Sequence, residues 1–202
     1  MDEVGKLREG NRRYVKNEMK EKNFIKRREE TRKMQKPFAI IVSCSDSRVS
    51  PEYIFDADIG ELFIVRNAGN VVDRIALGSI EYAVEYLGVS LIVILGHTDC
   101  GAVKASYEKD VKLSKNVKHV IKKIINATKK VEGGSLQEVI VENIKIQMNK
   151  ILKSSEVCRE RLKNGELKIF GALYHLDSGV VDFFDNPSTF CNKSKKDQIW
   201  KE

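Results

Sequence analysis

The period of the apolar positions changes along the chain and lays out a series of helices and strands. Residues 1–34 carry a thin apolar stripe of Val4, Leu7, Tyr14 and Val15 among charged positions. That pattern predicts one or two helices that bury little surface of their own. Pro37 ends this arm, and Phe38-Ala39-Ile40-Ile41-Val42 follows. A short, unbroken run rich in β-branched residues predicts a strand covered on both faces. Leu62-Phe63-Ile64-Val65 reads as a second strand, running into the polar loop Arg66-Asn67-Ala68-Gly69-Asn70. A helix is predicted near 75–87, with Ile80, Ala83, Val84 and Leu87 on one face and Gly88 closing it. Leu91-Ile92-Val93-Ile94-Leu95 is the third strand and leads into Gly96-His97. Buried strands separated by helices predict parallel βαβ crossovers.

A Lys-rich helix is expected near 117–127, and Gly133-Gly134 breaks the chain after it. Ser135 and Glu138 have the spacing of a capping box ahead of a long amphipathic helix through Ile140, Ile144, Met148, Ile151 and Leu152. Gly165 fits the end of a shorter helix, and residues 167–176 form the next strand. Asp177-Ser178-Gly179 turns the chain into a strand at 180–184, a connection short enough for an antiparallel hairpin. No internal repeat or low-complexity linker interrupts the pattern. The fold class is α/β: a mostly parallel central sheet with flanking helices, an N-terminal helical arm and an antiparallel edge strand. Residues 1–36 form the arm, which has little to pack on within its own chain and is expected to pack on a partner subunit. Residues 37–185 form the α/β domain and 186–202 a polar tail.

A chain of 202 residues is most simply one domain. With 42% hydrophobic and 32% charged residues it has material for a sizeable core, which excludes a wholly disordered chain. Its apolar runs are far shorter than the roughly 20 residues needed to cross a bilayer, and no secretory signal precedes the arm. A soluble, cytoplasmic protein is expected. The net charge of +7 raises the question of nucleic acid. The basic residues concentrate in 6–36, 104–130 and 193–201, and in the first two acidic or apolar residues recur at helical spacing. That is the pattern of a solvated helix face, and no nucleic-acid signature accompanies it. Neither a nucleic-acid nor a membrane partner is expected.

The four cysteines, at 44, 100, 158 and 191, have no scaffold spacing, so the question is which of them has suitable company. Two loops stand out, each just after a buried strand: Cys44-Ser45-Asp46-Ser47-Arg48 and His97-Thr98-Asp99-Cys100-Gly101. In an open parallel sheet, ligands bind outside the carboxyl ends of the strands. If these two strands are neighbours, Cys44, His97 and Cys100 converge as three ligands of a tetrahedral zinc. The alternative is that the cysteines merely pack at strand ends. Asp46 and Arg48 weigh toward a site, because a buried strand end does not carry such a pair without a use for it.

Taken together, these motifs resemble those of the β-class carbonic anhydrases. The Cys-x-Asp-x-Arg and His-x-x-Cys-Gly signatures occur in order. Gly10-Asn11 with Arg13, the 66–70 loop, Gly78-Ser79-Ile80-Glu81-Tyr82 and Gly171-Ala172-Leu173-Tyr174 extend the likeness over about residues 5–184. The resemblance implies Zn2+ held by Cys44, His97 and Cys100, with Asp46 as a fourth ligand only in a closed state. It implies Asp46 and Arg48 as the catalytic dyad, in which Arg48 holds Asp46 off the metal. Gln35, Phe63, Tyr82 and the Gly101 amide would bind substrate, with the Phe and Tyr reaching into a neighbouring subunit's site. The implied reaction is reversible hydration of carbon dioxide to bicarbonate by zinc-bound hydroxide, in a homodimer or tetramer. Carbonyl sulfide or carbon disulfide hydrolysis on the same scaffold, or a non-catalytic zinc protein, are the alternatives.

Where the closed subclass carries a Trp three residues before its first cysteine, this chain has Ile41, and its one Trp, Trp200, lies in the tail. Together with Gln35 this favours an open site. Ala68 stands where plant-type members carry a bulkier residue. His119 reads as solvated, His175 and Cys158 as structural, Cys191 as a free thiol, and Asp99 as a loop carboxylate beside the ligands.

Overall fold

The apolar runs around residues 40 and 93 can be buried only if both faces of a sheet are covered, and the fold does this. Five strands form one sheet in a computed structural model that describes residues 1–107 and 112–184. They are β1 (Ala39–Cys44), β2 (Leu62–Asn67), β3 (Leu91–His97), β4 (Lys168–Tyr174) and β5 (Val181–Phe184). The order is β2-β1-β3-β4-β5, parallel throughout except for the β4–β5 hairpin. This is the predicted α/β arrangement. The tail expected at 186–202, with Cys191 and Trp200, lies outside the described residues.

Alternation along the strands splits the core in two. Ile40, Val42, Ile92, Ile94, Ile169 and Leu173 face one way, under α4 (Arg74–Tyr86), α6 (Lys115–Lys130), α7 (Leu136–Ser154) and α8 (Glu156–Lys163). Ile41, Leu91, Val93, Leu95 and Ala172 face the other way, under α1 (Glu3–Val15) and the single turn α3 (Pro51–Ile54). The capping box predicted for α7 forms, with the Ser135 amide donating to Glu138 Oε2 at 2.7 Å and the Glu138 amide to Ser135 Oγ at 3.3 Å. Among the described residues, no helix is long and apolar enough to cross a membrane.

Two elements differ from the sequence pattern. Every residue of β1 and β3 is buried, whereas the equally apolar β2 is only half-buried, because it is the sheet's edge. Beside it α4 leaves Ile75, Tyr82 and Tyr86 exposed on its outer face. The arm is two helices, and α1 packs on its own chain, with Val4 and Leu7 buried in the second core. By contrast α2 (Phe24–Thr31) buries no residue, and Phe24 and Ile25 are exposed.

The docking of α1 is more polar than its stripe implied. Gly10 approaches so closely that a Cβ there would overlap the Phe55 carbonyl. Asn11 is buried and spends its side chain on backbone, donating to Ile54 O (3.1 Å) and Gly179 O (2.8 Å) and accepting from the Val181 amide (2.9 Å). The carboxylate of Asp56 is fully buried and takes Arg13 Nε at 2.6 Å and Lys22 Nζ at 2.8 Å. Burial alone would raise its pKa, but the bonds from Lys22 and Arg13 bring it below the ordinary value.

Removing this charge strands two cations that are largely out of water. We expect Asp56→Asn to cost about 2–3 kcal/mol, read from urea unfolding at pH 7. A carboxylate with a depressed folded pKa stabilises above its unfolded value and loses that contribution as pH falls through the folded one. The gap between wild type and Asp56→Asn should therefore narrow below about pH 4.

Candidate metal centre

Parallel pairing of β1 with β3 sets Ser43 opposite Leu95, so Cys44 and His97 end neighbouring strands on the same edge of the sheet. Cys100 follows within the tight loop 98–100, where Asp99 adopts φ +54°, and α5 (Gly101–Tyr107) starts immediately after it. One donor atom from each of Cys44, His97 and Cys100 lies within 4.8 Å of the others, and all three residues are buried. Sequence reasoning named this trio, and the chain brings it together.

The His97 ring is poised as a ligand. Its Nδ1 is 2.8 Å from the Thr98 carbonyl, which can only accept, so Nδ1 carries the proton and Nε2 the lone pair. Buried Nε2 has no hydrogen-bond partner among the described residues. A buried polar atom without a partner is costly, and a cation between it and two sulfurs would remove that cost. Two thiolates and an imidazole suit a borderline-soft metal better than Mg2+ or Ca2+.

The sulfurs are embedded in donors. Hydrogen bonding from Cys100, and after it from the Gly69 amide, holds the Cys44 thiol below its ordinary pKa. The Cys100 thiol is pushed up by Cys44 first and by burial second, against the Val103 and Ala102 amides at the start of α5.

Asp46 sits 3.9 Å from His97 Nε2 by its Oδ2. Arg48 grips it as a fork, Nε to Oδ1 at 2.9 Å and Nη2 to Oδ2 at 2.8 Å, and the Arg48 amide adds 3.0 Å to Oδ1. The guanidinium holds this carboxyl well below the usual carboxylate range, so it is ionised at any physiological pH. Gly101 opens α5 beside Cys100, and nothing described lies within 4 Å of where its Cβ would be.

The remaining predicted residues are placed elsewhere. Phe63 and Tyr82 do come together, with ring centroids 6.3 Å apart, and Tyr86 stacks on Tyr82 at 5.4 Å. Phe63, however, pairs with Ile40, four residues before Cys44, which at the rise of a strand is about 13 Å from this chain's own ligands. Gln35 is exposed in the segment between α2 and β1. His119 is exposed on α6. His175 bonds Asp182 at 2.8 Å, and Cys158 is buried on α8.

Two supporting residues escaped the sequence reading. Arg66 donates from Nε to Cys44 O (3.1 Å) and from Nη2 to Asp46 O (2.8 Å), strapping the loop to the edge strand. Thr98 accepts the Leu176 amide on Oγ1 (3.0 Å) while its carbonyl orients His97. For Arg66 there was a signal, a cation closing an apolar strand next to the candidate loop. For Thr98 there was none beyond its place between two ligands.

Residues 39–181 match the family described as carbonic anhydrase. A carbonic anhydrase of Mycolicibacterium smegmatis is 36% identical over 184 residues, covering 87% of this chain and 89% of that protein. Carbonic anhydrase 2 of Mycobacterium tuberculosis is 38% identical over 187 residues, with 86% and 87% covered. The solved structure of the beta-carbonic anhydrase CcaA superposes with a TM-score of 0.73 at 26% identity, over 92% of this chain and 89% of that one. Sequence kinship over most of the chain and a shared fold agree, and the chain belongs to the β-class carbonic anhydrases, a family of lyases.

Proposed function

We propose that this protein is a zinc enzyme that interconverts carbon dioxide and bicarbonate, with Cys44, His97 and Cys100 holding the metal and Asp46 and Arg48 acting beside it. One observation carries the reading: a partnerless, buried imidazole nitrogen lies among two sulfurs, 3.9 Å from a carboxylate locked by arginine. The donor set fits Zn2+, with three protein ligands and one position left open. When bound, zinc lowers the pKa of water from about 15.7 to about 7, which makes hydroxide available near neutrality.

The chain's own groups do the rest. Asp46 Oδ2, always ionised, accepts a hydrogen bond from the attacking oxygen and so turns a lone pair of that oxygen toward the carbon. Because Arg48 occupies both carboxylate oxygens, Asp46 is held back from the metal, which supports an open site. The Gly101 amide, beside Cys100, can donate to the substrate oxygen that gains charge, and Gln35 is proposed as a second donor on the family resemblance alone. Held by Cys44, His97 and Cys100, the metal would supply the hydroxide that adds to carbon dioxide, with bicarbonate and a proton as the products.

Half-buried Phe63 and exposed Tyr82 form an apolar wall, and Phe63 stands too far along the sheet to serve this chain's own ligands. Their place supports a homodimer at least, with a tetramer as the larger option, in which each copy lends this wall to the other's site. Carbon dioxide is small and apolar, and such a wall suits it.

Stopped-flow hydration of carbon dioxide by zinc-loaded protein, from about pH 6.5 to 9, tests the reading. Fast, chelator-sensitive turnover already present near neutrality is expected, and silence across the range with zinc bound would overturn it. Asp46→Asn and Arg48→Ala should each lower kcat by about 10²–10⁴-fold with zinc content unchanged by atomic absorption. For the shared wall, Tyr82→Ala should be impaired and Cys44→Ser should lack metal. Their co-expressed mixture should recover one working site per mixed dimer, and a mixture no better than its parts would exclude sharing.

A further inference from the structure

The turn Ala68–Asn70 contributes no ligand, yet it touches the metal site through one atom. The Gly69 amide donates to Cys44 Sγ at 3.4 Å. Gly69 holds φ +75°, and a Cβ there would stand 2.5 Å from Ile124 Cδ1, so both conformation and space require glycine.

What holds this turn comes from two directions. Asn67 clasps it from within, Nδ2 donating to Val71 O and Oδ1 accepting the Val71 amide, both at 2.7 Å. Helix α7 holds it from outside through two residues one turn apart. Asn143 Nδ2 donates to Gly69 O at 3.1 Å, Gln147 Nε2 to Asn143 Oδ1 at 2.9 Å, and the Val72 amide to Gln147 Oε1 at 2.8 Å. Both side chains are at most 2% exposed and share α7 with buried Ile140, Ile144, Met148 and Ile151. Two primary amides are costly where leucine would pack, unless their bonds serve something apolar residues cannot. These bonds fix a peptide segment whose remaining donor points at a metal-site sulfur.

We propose that Asn143 and Gln147 are positioning residues for the metal centre: by locking Gly69 they aim its N–H at Cys44 Sγ and strengthen the hold of that thiolate on the metal. The inference rests on the zinc reading above. An N–H donor draws charge from the sulfur and relieves repulsion between the two thiolates. A sulfur already held in place also loses less freedom when the metal arrives. Outer-shell changes of this kind typically cost about 10–100-fold in metal affinity.

The direct test uses the wild-type protein loaded with an NMR-active cadmium isotope. A proton–cadmium correlation transmitted through N–H···S is expected at the Gly69 amide. Cadmium bound through both cysteines with no such signal would overturn the inference. Cadmium that fails to bind Cys44 and Cys100 would overturn the metal reading and this inference together. In Asn143→Leu, zinc should pass to a competing chelator about 10–100-fold faster, and the Gly69 signal should weaken. A folded Asn143→Leu that releases zinc at the wild-type rate would equally overturn it. If that variant does not fold, the wild-type spectrum alone decides.

Discussion

Two sulfurs and an imidazole held within 4.8 Å in a buried pocket are an electrostatic liability, and much of the surrounding architecture answers it. The Gly69 amide donates to Cys44 Sγ, and α5 begins immediately after Cys100. Arg48 and Arg66 stand on the rim, where one pins the acid beside the site and the other pins the backbone that carries both Cys44 and Asp46. None of these groups adds a ligand. They make the arrangement tolerable before a cation arrives and directional once it does.

The strands and the ligand trio were legible in the sequence because each rests on a local signal. An unbroken β-branched run predicts burial, and a cysteine or histidine ending such a run is conspicuous. Strand β2 shows the limit of that signal. Its Leu62-Phe63-Ile64-Val65 run has the composition of β1, but composition does not say whether the far side is covered by the chain's own helices. Asn143 and Gln147 were hidden for the converse reason. Amides within an apolar helical stripe look like interruptions of it, and only the turn beneath them explains their place. The docking of the arm lay outside periodicity too, since Asn11 and Asp56 act through single buried bonds to distant segments.

The half-buried edge strand and the bare face of α4 lie next to each other, so the least protected part of the sheet coincides with the aromatic wall of Phe63 and Tyr82. An edge with unpaired backbone groups is ordinarily a hazard that proteins blunt with charge, bulges or a cover. Arg66 charges only its far end. A second copy seated here, as proposed above, would cover the edge and the wall with the same contact.

The register of β1 against β3 also has a temporal side. Cys44 and His97 lie on strands that neighbour in space but are separated along the chain by β2 and α4, so the chain must leave the centre of the sheet, build its edge and return. Parallel pairings of this kind close long loops before any contact compensates, and they form slowly. The three donors therefore do not exist as a group in a nascent or partly folded chain. A metal held by Cys44, His97 and Cys100 would therefore be captured late, once the central sheet is complete, and would fasten together segments distant along the chain. The residence time of such a metal and the lifetime of the native state would then be coupled.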